Sequence, residues 1–363
     1  MTNPQPDNPK IFADPATMPT YETKRLTVPS AEALIGVPLR CLDKGFVRLV
    51  DYMGGDARVV QSARVSYGEG TKTIRDDAAL IDYLIRNAHT SPIEQVETVT
   101  HWKLPIFVAR QIVRTRTASL NEESARYSIL GNEFWVPSLE ELRAQSSTNK
   151  QMSGEVLPRE LAEKLLAAIV AEQQSGYTLY EELLRQGLSR EVARIVLDAA
   201  VYTEWYWKID AKNLIDTLRL RDDSHAQPQT QAYARAMKEV LRAVAPQVYA
   251  SADEHVWGAA RFGRSERQAL ADMLDGVECR IEGGARDRFV AKLAIAKPNP
   301  LYLPLERIGF ADEEVMRLDG HGIRTGGDLV ECATRGALRS LFGDTAEDLF
   351  RRADAAGLVL RGW

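Results

Sequence analysis

Arg114-Thr115-Arg116-Thr117-Ala118-Ser119-Leu120-Asn121-Glu122-Glu123-Ser124-Ala125-Arg126-Tyr127-Ser128 closes an apolar run, Leu104 to Val113, whose spacing is helical. Gln111, Arg114, Arg116, Glu122, Ser124 and Arg126 fall within sixteen residues. Guanidiniums crowded this way repel one another unless an anion sits between them, and their forked N–H donors match phosphate oxygens. Ser124 and the backbone N–H groups around it can complete such a cradle. The same residues also describe a solvated basic helix end, with Glu122 and Glu123 in ordinary surface ion pairs.

Outward from that stretch, 363 residues are enough for one large domain or two smaller ones. A formal charge of −5 gives no overall pull toward nucleic acid, so basic residues matter only where they cluster. Cys41, Cys279 and Cys332 are far apart and in no metal-ligand spacing, which points to a reducing compartment, no disulfide framework and no metal site. With no apolar run near the length of a membrane span and no signal-peptide core, a soluble cytoplasmic protein is expected.

Residues 1–35, rich in Pro, Asn and Thr, read as a mobile N-terminal arm. Val47 and Leu49 alternate around Arg48, and Val59-Val60 follows, predicting strands on both sides of a Gly54-Gly55 turn. Asp76 to Asn87 has helical spacing and stops at His89-Thr90-Ser91-Pro92-Ile93-Glu94-Gln95, where Pro92 forces a turn or a new helix start. Val96 to Trp102 alternates as a strand. Residues 141–158 read as an exposed connection, Leu161 to Leu184 as a helix, and Glu191 to Tyr206 as another. Tyr202 to Lys208 fits a packed strand or a helix edge. Arg194 is the one charge within Val192 to Leu197, so it is either half of a structural ion pair or a ligand contact. Asn213 to Leu220 is helical, and Arg219 and Arg221 then fall on different faces, one inward and one toward solvent.

Three of these blocks together resemble the flavin-dependent thymidylate synthases, the ThyX family. That family's signature is Arg-His-Arg, seven residues, then Ser; here it reads Arg114-Thr115-Arg116, seven residues, Ser124, with Thr115 in the histidine's place. The His89 to Gln95 block is similar to His-x-Ser/Thr-Pro-Phe-Glu-His, with Ile93 and Gln95 substituted. Arg219-Leu220-Arg221, a short spacer and Ala226-Gln227 look like the family's Leu-Arg-Leu-Arg and Ala-Gln, and Ala63-Arg64-Val65-Ser66 matches a further segment.

The resemblance implies an α/β catalytic domain over 36–260, a mixed sheet with packed helices. It implies reductive C5 methylation of a uridine monophosphate: dUMP to dTMP, or UMP to 5-methyl-UMP as in the nucleoside-antibiotic branch. By the same resemblance Gln111, Arg114, Glu122, Glu123, Ser124, Ala125, Arg126, Arg194 and Arg221 hold the nucleotide, and Arg221 is the catalytic group that activates the ring. Ser66, His89, Ser91, Arg114, Thr115, Arg116, Glu122, Asp210, Lys212, Asp216 and His225 would contact FAD. Asp210, Lys212 and Asp216 stand where relatives usually carry Asn, Arg and Asn, which exchanges amide donors for acceptor-only carboxylates. Methylene-tetrahydrofolate and NADPH would be co-substrates, in a homotetramer whose sites are shared between subunits.

A hydroxymethylating enzyme on the same nucleotide, or a nucleotide-binding regulatory paralogue without flavin, are the alternatives. Beyond 260 the resemblance ends. Residues 261–300 read as a connector and 301–363 as a small helical domain, vaguely similar to helix-hairpin-helix modules, for which packing or assembly is favoured over nucleic-acid binding.

Overall fold

The computed structural model describes residues 24–65, 74–147, 152–273, 280–293, 304–308, 310–334, 337–355 and 358. In the first of two units, Met1–Ala259, a short helix α1 (Pro29–Glu32) leads to the hairpin β1 (Pro38–Cys41) and β2 (Gly45–Met53). Helices α2 (Asp56–Arg64) and α3 (Ile74–Arg86) follow. Strand β3 (Glu97–Pro105) runs directly into α4 (Ile106–Ile112), and β4 (Ser119–Glu122) comes next. An exposed hairpin, β5 (Arg143–Gln145) and β6 (Ser153–Val156), precedes the long α5 (Arg159–Arg185) and the single turn α6 (Arg190–Ala193). Strand β7 (Tyr202–Asp210) runs into α7 (Ala211–Arg221), followed by α8 (Pro228–Val244) and α9 (Pro246–Ala252).

The larger sheet has the order β1-β2-β3-β7-β4, and its pairings are all antiparallel. The α/β class expected from the sequence holds; the parallel component, among the described residues, is one isolated bridge between Ile35 and Leu49. Alternation explains how the sheet is buried. Thr98, Thr100, Trp102 and Leu104 of β3 and Trp205, Trp207 and Ile209 of β7 all turn into the core. Trp102 stacks on Tyr233 of α8 with ring centroids 5.7 Å apart and meets Trp207 edge-on at 5.1 Å. The buried threonines stay satisfied, Thr98 and Thr100 donating to the carbonyls of Ile209 and Trp207. Gly45 has no room for a side chain: an added Cβ would lie 1.9 Å from the Tyr233 hydroxyl, which donates to the Lys103 carbonyl.

Several expectations change. Val59 and Val60 lie in helix α2, not a strand, because adjacent buried positions there form one wall of the core, which overrides their strand preference. The run Glu191 to Tyr206 is not one helix. It breaks after α6 and a 3-10 turn, and the backbone crosses Asp198 to enter β7, where the aromatic side chains alternate. The Leu104–Val113 helix begins only at Ile106, since Leu104 and Pro105 complete β3. Within the expected arm, residues 28–35 are packed rather than mobile. Ala31 is fully buried, the Val28 N–H donates to the Tyr52 hydroxyl, and Ser30 donates to the Ala243 carbonyl. Residues 1–23 lie outside the described residues.

The second unit, Ala260–Trp363, is helical among the described residues apart from the isolated bridge Pro304 to Thr325. Helices α10 (Arg264–Met273) and α11 (Gly283–Leu293) occupy the stretch expected as a connector. Helices α12 (Asp312–Asp319), α13 (Gly326–Thr334), α14 (Ala337–Phe342) and α15 (Ala346–Ala355) enclose a separate core around Leu318, Leu329, Leu338 and Leu349. Gly322, at φ 76°, makes the turn between α12 and α13.

Candidate active site

Helix α4 is fixed at its start. The N–H groups of Ile106 and Phe107, which no helical turn can satisfy, donate to the carbonyls of Val201 and Ala199. From its far end the chain turns through Arg114, Thr115 and Arg116 and enters β4, the edge strand beside β7. The ladder extends one residue further through the Glu123 N–H and the Glu204 carbonyl at 2.8 Å. Beyond it a turn closes on Ser124, whose carbonyl accepts from Tyr127 and Ser128 and whose hydroxyl accepts the Arg126 N–H. The Ser124 proton therefore remains available to an acceptor.

Under this turn lies a cavity of about 490 Å3 lined by Glu122, Glu123, Ser124, Ala125, Arg194 and Thr203, among others. Arg194, on the wall of this cavity, has no ion pair among the described residues. Arg126, next to the cavity wall, is held by Glu191 of α6 at 2.9 Å, and Arg190 donates to the Tyr127 carbonyl. Glu122 accepts from the Thr203 hydroxyl. Burial, reinforced by Glu204 and Glu122, pushes the Glu123 carboxyl above its ordinary range.

A second cavity, of about 950 Å3, holds Gln111, Arg221 and His225, with the β5–β6 hairpin and Trp135 as further walls. Arg219 and Arg221 do not divide between core and solvent as expected. Both are half-buried, and the Nε of each is buried without a hydrogen-bond partner. Burial first, and then the Arg114 guanidinium, pull Arg221 below the usual arginine value. Unpaired buried donors are costly, so this arrangement favours a ligand that brings acceptors. Asp222, one residue on, ties the end of α7 to α8 by accepting from Arg235 at 2.9 Å and Lys238 at 2.7 Å.

Of the residues expected at the flavin, Lys212 and Asp216 lie on α7, Asp210 just before it, Arg114, Thr115 and Arg116 in the turn after α4, His89, Ser91 and His225 in loops, and Glu122 on β4 at the first cavity. Asp210 caps α7, accepting from the Asn213 N–H and side-chain amide. Lys212 pairs with Asp216 at 3.3 Å, and the Thr115 and Thr217 hydroxyls are 3.4 Å apart. His89 packs edge-on against Tyr83, and His225 meets Asp223 at 2.8 Å. Ser91 is exposed just before Pro92, as are Arg114 and Arg116. Ser66 lies outside the described residues. Arg114 and Arg116, exposed in the turn after α4, suit an anionic, acceptor-rich cofactor. The two aspartates already hold partners within the chain, so their exchange for Asn is explained locally.

Sequence reasoning missed Asp198, Ile195 and Leu130 in the first cavity and Trp135, Glu141 and Arg143 in the second. Their local sequence carries no motif; only the paired indication of an exposed connection at 141–158 touched the hairpin wall.

A family model described as thymidylate synthase complementing protein, Thy1, matches residues 48–247. A flavin-dependent thymidylate synthase of Treponema denticola is 51% identical over 255 residues, spanning 70% of this chain and 96% of the relative. One from Rickettsia conorii is 46% identical over 267 residues, 70% and 91% of the two chains. Among solved structures, the UMP/dUMP methylase PolB of Streptomyces cacaoi bound with 5-Br dUMP shares 28% identity and a TM-score of 0.54, covering 60% of this chain and 97% of that one. These matches define a class of flavin-dependent nucleotide methyltransferases. The chain belongs to the Thy1 family, the flavin-dependent thymidylate synthases. The second unit lies beyond the family match.

Proposed function

We propose that this enzyme methylates C5 of a uridine monophosphate, dUMP foremost and UMP as a second candidate, with methylene-tetrahydrofolate as one-carbon donor and NADPH as reductant. The observation that carries the reading is Arg221, half-buried, short of acceptors, and sharing a cavity with Gln111. C5 of uracil is a weak nucleophile. A guanidinium held against the carbonyl edge stabilises negative charge as N3 ionises and enriches C5. A thiolate route is disfavoured. Burial pushes the Cys41 thiol up to about 12, and its Sγ lies against the Leu39 and Ala232 carbonyls. Bound flavin would supply the electrons and relay the one-carbon unit. The protein's part is to hold the nucleotide by Ser124, Arg126 and Arg194 and to polarise its ring by Arg221.

In one chain Ser124 and Arg194 line one cavity and Arg221 another. We therefore infer a site completed between chains of a homotetramer, the phosphate side from one and Arg221 from another. Exposed apolar side chains support it: Tyr127 and Ile195, each 75% exposed, flank the first cavity, and Leu220 the second. Turnover of dUMP and UMP with methylene-tetrahydrofolate, FAD and NADPH tests the reading, with methylated product identified by mass. No methylated product from either nucleotide counts against it, and a purified protein without flavin absorbance returns the flavin-less paralogue to the front.

A further inference from the structure

The Gln111 side chain has its two ends held differently. Its Oε1 accepts from the Thr230 hydroxyl at 2.9 Å, and its Nε2 donates to the Gln227 side-chain oxygen. Thr230 is fully buried in the first turn of α8. The Gln227 carbonyl, one turn back, already accepts the Thr230 N–H at 2.8 Å and the Gln231 N–H at 3.0 Å. The neighbouring Ala226 carbonyl accepts from the Gln231 side chain at 2.9 Å. The Thr230 proton thus has Gln111 as its acceptor. Turning the Gln111 amide over would strip the proton of the buried Thr230 hydroxyl of its acceptor and would force Gln227 to turn as well.

An amide nitrogen carries two protons, and Gln227 takes one. The other is available to the cavity that Gln111 shares with Arg221. Arg221 is donor-only as well. We infer that Thr230 is a positioning residue that sets pyrimidine preference. By holding Gln111 with its N–H end toward the cavity, it suits a ring carrying a 4-oxo group and disfavours one carrying a 4-amino group. Uracil nucleotides are accepted and cytosine nucleotides refused, because an amino group would face donors only. The inference rests on the proposal that a pyrimidine mononucleotide occupies this cavity. It adds the residue that chooses which pyrimidine.

The test is calorimetric binding of dUMP and dCMP to the full-length protein, its Thr230→Val variant and its Thr230→Ser variant. Valine keeps the shape and removes the hydroxyl, which frees the Gln111 amide to rotate. The wild type should prefer dUMP. Thr230→Val should shrink the dUMP-to-dCMP affinity ratio by roughly tenfold, and Thr230→Ser should keep the wild-type ratio. Thr230→Ala gives the same readout should the valine variant not fold. A ratio unchanged in Thr230→Val, or both ligands weakened equally, overturns the positioning role while leaving the uridylate reading intact. Wild-type protein that binds neither nucleotide overturns that reading and this inference together.

Discussion

Ile106 and Gln111 sit toward opposite ends of one helix, roughly 7.5 Å apart along its axis, and each looks into a different cavity. At the Ile106 end the polar groups are on an edge strand and a turn. Arg126 is matched to Glu191, Glu122 to Thr203, and the Ser124 hydroxyl to a backbone N–H. At the Gln111 end Arg221 keeps a buried Nε donor that no group among the described residues satisfies. The first region can order itself without a ligand and should serve affinity. The second stores an unmet donor and should serve chemistry, since interactions that strengthen as charge develops are those that raise turnover.

Breaking the second region should have the larger effect. Arg221→Ala should lower kcat by about a hundredfold to a thousandfold, with the fold intact by circular dichroism. A loss confined to KM would move Arg221 from activation to binding. Arg194→Ala should act in the other direction, raising KM for the nucleotide by roughly tenfold with kcat little changed, as steady-state kinetics would show. The smallest change is expected at the support. Asp222→Asn exchanges two charge-assisted bonds to Arg235 and Lys238 for weaker ones, costing about 1–2 kcal/mol and lowering the melting temperature. Activity should fall only as far as the α7 terminus loosens, and an unchanged melting temperature would show that Asp222 anchors nothing.

The two regions were unequally legible in the sequence. The Arg114–Ser128 block could be read as an anion cradle because its residues are neighbours in the chain, and the ladder along β7 keeps them so. The convergence of Gln111 with Arg221 was legible only through resemblance, since it depends on β7 and α7 carrying residue 221 back across the sheet. Asp210 looked like a lost cofactor contact; its role as the α7 cap needed the structure, although Asp ahead of a helix is a known local signal. Thr230 left no trace, because its partner is 119 residues away and its own helix gives a threonine no reason to be there. Periodicity failed where burial was two-sided. Val59-Val60 and the stretch after Glu191 are apolar in patterns that helix and strand share, and packing decided between them.

On this proposal the two cavities of one chain are halves of sites completed by another. Arg221→Ala and Arg194→Ala chains, each impaired alone and separately tagged, can be co-expressed and the mixed oligomers isolated. Random assembly should restore about a quarter of the wild-type kcat/KM, read at nucleotide well below KM where both variants are impaired, since a site drawing each half from an unaltered copy is whole. Mixed oligomers no more active than the average of the two variants would contradict it, and would place phosphate and pyrimidine recognition within a single chain.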